Sequence, residues 1–121
     1  MMVAGALGRL AYALGLLMAP DRMSVLRLAP SANGNAYANM TTRAFGAVHT
    51  NVAMLTLRAA LRKRDIRLVL GLNIGCDLGD LAATVLESRS GDLPAAALIG
   101  SAVVQSVGMA TWAVVLRSLG E

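Results

Sequence analysis

Residues 66–86 read IRLVLGLNIGCDLGDLAATVL, an apolar run of bilayer-spanning length that carries Asp77 and Asp80 near its middle. At about 1.5 Å per residue, a helix of this length matches a hydrocarbon core of about 30 Å. A carboxylate at that depth costs roughly 3 kcal/mol on insertion scales, and it persists where another group pairs with it or where function uses it. The stretch therefore predicts a membrane-spanning helix with a buried polar site.

The remainder of the chain repeats the pattern. Of 121 residues, 56% are hydrophobic and only 15% are charged, well below the quarter or so typical of soluble domains. Four apolar blocks stand out, at about 2–19, 38–57, 66–86 and 94–116. Backbone polar groups must be satisfied internally in lipid, so each block is expected to be a helix. The fold class predicted is all-α: a single integral membrane domain built as a four-transmembrane-helix bundle. The first block lacks a basic leading segment and is interrupted by Arg9, so it reads as a retained span rather than a signal peptide.

Charge sets the expected orientation. Arg58, Arg62, Lys63, Arg64 and Arg67 cluster between the second and third blocks, which places that connection in the cytoplasm. The connections at 20–37 and 87–93 then face outward, and both termini face inward (N-in/C-in). The same cluster accounts for much of the net charge of +4, so that charge is no sign of nucleic-acid binding. Aromatics at 3% are also too sparse for base stacking. Cys76 is the only cysteine, which excludes an intrachain disulfide and a paired redox motif.

On a helix of roughly 100° per residue, Asn73, Asp77, Asp80 and Thr84 fall within one narrow arc. Gly71, Gly75 and Gly79 form a small-residue ridge on roughly the opposite face, a surface suited to close helix packing. The ridge has two candidate partners. One is the fourth helix, with Ala96, Gly100 and Gly108; the other is a second protomer.

The short second connection makes blocks two and three an antiparallel hairpin. Folding it near Lys63 sets His49 level with Asp77 and brings Arg43 toward the level of Asp80. A buried Arg–Asp pair satisfies two groups that are expensive alone. The candidate site is Arg43, His49, Asn51, Asn73, Asp77 and Asp80, joined by Gln105 from the fourth helix. Arg43 and His49 lie about 120° apart around their helix, so both cannot face the carboxylates squarely. Two readings stand side by side: a polar lock between helices, or a site that binds or relays a proton, ion or polar head group. Two acids three residues apart and a histidine make a proton relay chemically reasonable.

Other chemistries find less in the sequence. His49, Asp77 and Asp80 lack the spacing of a recognised metal motif, and a haem bound by His49 would need a second subunit for its other histidine. No nucleophile motif is present. No catalytic residue or metal site is expected, and the chain reads as a non-enzyme.

Thr42-Arg43-Ala44-Phe45-Gly46 in the second block and Asp77-Leu78-Gly79-Asp80 in the third resemble segments of small four-span bacterial membrane proteins that are broadly DoxX-like. The resemblance covers most of the chain through short motifs. It implies a multi-pass protein of the bacterial inner membrane. It also implies, as an alternative function, a redox-linked protein associated with quinone, although no residue here carries that chemistry. Small multidrug exporters share the size but place a glutamate in the first span, where this chain has Arg9. Fluoride channels share the size but are phenylalanine-rich, whereas Phe45 is the sole phenylalanine here. The leading expectation is a carrier or binding subunit, or an accessory subunit of a larger membrane complex. Its partners are the lipid bilayer and a larger assembly or a second copy, with no nucleic acid and no cofactor except the quinone of the alternative.

Overall fold

A computed structural model describes residues 1–27, 34–89 and 94–119, and within them the chain is all-α, without a strand. Its helices are α1 (Met2–Met18), α2 (Pro20–Arg27), α3 (Ala36–Arg62), α4 (Ile66–Ser88) and α5 (Ala95–Ser118). The expected polar run at 31–35 and the outer turn at 87–93 fall largely outside the described residues.

Local chemistry sets the helix ends. Pro20 opens α2, a position where its missing N–H costs nothing. Asn35 caps α3, its Oδ1 accepting from the Ala38 N–H at 3.0 Å. Lys63 ends α3 in the left-handed conformation at φ 51°, and Asp65 follows at φ 59°. These caps carry α3 beyond the apolar block at 38–57 in both directions. An Asn39–Asp21 hydrogen bond ties α2 back onto α3.

α1 packs along α3 and α4 along α5, and the two pairs meet through α3 and α4. The α1–α3 seam is made of small residues. Ala6, Ala13 and Leu16 of α1 are buried, as are Thr42, Gly46, Ala53, Thr56 and Ala59 of α3. The second seam holds Leu70 of α4 against Trp112 and Val115 of α5.

Polarity is distributed unusually. His49, Asn73 and Asp77 are buried, as are Thr42 and Thr56, while Leu7, Leu68, Leu78, Ile99, Val104 and Val107 are exposed. Buried polar groups and exposed large apolar surface are the two observations that depart from a water-soluble interior. Two helices, Ile66–Leu86 and Ala95–Ser118, are long and apolar enough to cross a membrane. α1 is apolar but has 17 residues, and α3 is diluted by Asn39, Arg43, His49 and Asn51.

Among the described residues the glycine ridge forms no seam within the chain. A Cβ added at Gly71, Gly75, Gly79 or Gly100 would meet nothing within 4 Å. Once the Asn73–Asp77 arc turns inward, the opposite face of α4 must turn out. Close packing occurs at other glycines instead, Gly46 on α1 and Gly108 on α4. At Gly46 a Cβ would sit 2.8 Å from Leu16 Cβ and 3.0 Å from the Ala13 carbonyl oxygen. Gly46→Ala is therefore expected to destabilise by about 1–3 kcal/mol. Gly71→Ala removes a helix-interior glycine in open space and should be neutral or stabilising, by up to about 1 kcal/mol. Thermal unfolding of both variants in mild detergent tests the seam, and equal shifts would contradict it.

Candidate functional site

The centre of the bundle is a chain of polar contacts that begins on α1. The Arg9 guanidinium is bonded through Nη2 to Asp77 Oδ1 of α4 at 2.5 Å. Through Nη1 it reaches His49 Nδ1 of α3 at 3.0 Å. The other ring nitrogen, His49 Nε2, lies 3.3 Å from Asp80 Oδ2. Three helices thus contribute to one network. Arg9 and Asp77 side chains are each only 8% exposed, against 21% for Asp80.

The geometry fixes the imidazole. Arginine only donates, so His49 Nδ1 must accept, which leaves the ring proton on Nε2, the nitrogen 3.3 Å from Asp80 Oδ2. A doubly protonated ring would set donor against donor and cation against cation at Arg9. His49 is therefore neutral in this arrangement. Tyr12 meets its ring edge-on, with centroids 5.9 Å apart, and Phe45 lies against it at 4.2 Å.

Asp77 is shaped from the other side by α5. A Cβ at Gly108 would come within 2.7 Å of Asp77 Oδ2, so a glycine there lets α5 approach the carboxylate. Asp77 Oδ2 is buried and accepts no hydrogen bond among the described residues. Four residues on from Gly108, the Trp112 ring lies 5.9 Å from Arg9 Cζ, within cation–π range. Gly5 leaves room for that ring on α1.

The network opens into a cavity of about 1000 Å3. Arg9, His49, Asp77 and Asp80 form its polar wall, with Tyr12 and Trp112 as aromatic wall. On the far side Thr84 and Ser101 hydroxyls lie 3.0 Å apart, and Gln105 Nε2 donates to Ser101 Oγ at 2.9 Å. Gln105 Oε1 is buried without a donor among the described residues.

The site expected from sequence is thus partly assembled and partly redistributed. His49, Asp77 and Asp80 meet, and Gln105 shares their cavity through Ser101 rather than by touching the acids. Asn73 lies one turn before Asp77, where its Nδ2 bridges Thr56 Oγ1 and the Val69 carbonyl, both at 2.7 Å. That is a separate α3–α4 lock. Arg43 and Asn51 are exposed on α3 and do not join the site. His49 and Gly46 occupy the inward face, and residue 43 lies about 120° away from His49. The cation beside the carboxylates is Arg9. The available signal was the mismatch itself: an arginine inside each of the first two apolar blocks, Arg9 and Arg43, and two acids inside the third.

Comparison with protein-family models, curated proteins and solved structures finds no match to this chain.

The two carboxylates should respond differently to neutralisation. Asp77→Asn leaves Arg9 as a buried, uncompensated cation and should cost about 3–5 kcal/mol. Asp80→Asn removes a charge that is less buried and has no buried cation depending on it, and should cost less than about 1 kcal/mol. Unfolding of both variants in detergent checks the order, and equal losses would refute this division of roles.

Proposed function

We propose that this chain is a small multi-pass protein of the bacterial inner membrane whose interior binds or carries a small ligand. In this reading α1, α3, α4 and α5 are the four spans, with the α3–α4 turn in the cytoplasm and both chain ends on the same side. Arg58, Arg62 and Arg64 gathered around that turn support the orientation. The inverted polarity, apolar outside and polar within, supports the membrane setting.

The observation that carries the binding reading is the opening of the ion network, at Asp80, into a cavity of about 1000 Å3. A mere lock between helices would need Arg9 and Asp77. It would need neither a second carboxylate nor a space of ligand size beside it. Ionisable groups inside a membrane are candidates for function on physical grounds. A quinone-associated redox role finds less support. The carboxylates on the cavity wall, Asp77 and Asp80, are acceptors when ionised, and a quinone brings carbonyl acceptors of its own. Service as an accessory subunit draws on a different feature, the open glycine face of α4 at Gly71, Gly75 and Gly79.

Native mass spectrometry of the gently extracted chain separates these roles. A binding protein should retain a small molecule, at most one per chain, that Asp80→Asn loses. An empty chain in fixed stoichiometry with a larger protein would favour the accessory role. Orientation has its own check in a Cys76→Ala background. Lys63→Cys should react with an impermeant maleimide in inverted vesicles but not in intact spheroplasts, and the opposite pattern would overturn N-in/C-in.

A further inference from the structure

Taking the binding-site reading above as its basis, we infer that the cavity's ligand is a protonated amine on an apolar body, held through Asp80. Charge balance comes first. Among the described residues, Arg9 is the one cation on the cavity wall, against two carboxylates, Asp77 and Asp80. Its guanidinium is committed to Asp77 and to His49 Nδ1. The imidazole, neutral in this arrangement, lies 3.3 Å from Asp80 and brings it no positive charge. With both acids ionised, the wall holds one negative charge in excess, at its most exposed member. An anionic ligand would meet that excess directly, whereas a cation cancels it.

Hydrogen-bond chemistry points the same way. Asp80 is the more exposed of the two carboxylates, and an ionised carboxylate only accepts. A ligand held there must bring N–H or O–H donors. A primary or secondary ammonium supplies both the charge and the donors. A metal cation would satisfy the charge but requires a nearly complete oxygen shell. Here Tyr12, Phe45 and Trp112 are part of the wall. Those rings instead suit an apolar body and a neighbouring ammonium.

Trp112 is the only tryptophan in the chain and lies on the cavity wall, so its emission reports occupancy. The protein in lipid nanodiscs is titrated with three probes of one shape: 2-phenylethylammonium, neutral 2-phenylethanol and anionic 3-phenylpropionate. The amine is expected to bind saturably, about tenfold or more tighter than the alcohol, with the acid weaker still. Asp80→Asn should abolish the preference for amine over alcohol, and Asp80→Glu, which keeps the charge, should retain it. If the alcohol or the acid binds as tightly as the amine, or if Asp80→Asn keeps the preference, the cationic class is wrong while the binding site stands. If none of the probes perturbs Trp112, the cavity is no ligand site and both conclusions fall.

Discussion

The contact between Arg9 and Asp77 is the constraint around which the bundle is arranged. Each group alone would be a charge in an apolar interior, and together they neutralise one another across two helices that belong to different pairs. Once Asp77 is fixed by Arg9, its second oxygen faces α5, and position 108 must lack a side chain. That approach sets Trp112 over the guanidinium, and Gly5 on α1 then has to clear the indole. His49 is oriented by the same guanidinium, which determines the ring nitrogen that meets Asp80.

In the proposed membrane setting, packing outside this centre would follow the rules of helices in lipid. Apolar tails offer no hydrophobic drive for one helix to leave them for another, so association depends on close contact and interhelical polar bonds. The α1–α3 seam, with Ala13 and Leu16 against Gly46, supplies the contact. Asn73 with Thr56, and Thr84 with Ser101, supply bonds between α4 and its two neighbours. Function would then reside where the polar interior is incompletely satisfied, at Asp80 and the cavity beside it.

Much of this was legible in the sequence because helix periodicity is strict. The arc of Asn73, Asp77, Asp80 and Thr84 follows from spacing alone, and in the fold these residues turn toward α3 and α5. The all-α class and the helix positions were likewise readable from the apolar blocks. What spacing does not encode is which helix supplies a long-range partner. Arg43 was attractive because the α3–α4 hairpin is close in sequence, but rotational phase gives the inward face to His49. Arg9 lies 68 residues from Asp77, and only the helix packing brings them together. The glycines of α4 illustrate a related point. A small-residue ridge marks a surface that permits close approach without naming what approaches, and among the described residues the fourth helix does not approach it, which leaves a second protomer.

A double-mutant cycle on Arg9 and Asp77 tests the central claim most directly, using Arg9→Met, Asp77→Leu and the two combined, each unfolded in mild detergent. If the pair organises the bundle, the losses are strongly non-additive. The double variant should then be more stable than the sum of the singles implies by about 1.5–3 kcal/mol. Losses that add to within about 0.5 kcal/mol would mean the two charges act independently, and the ion pair could not be the constraint on which the site rests.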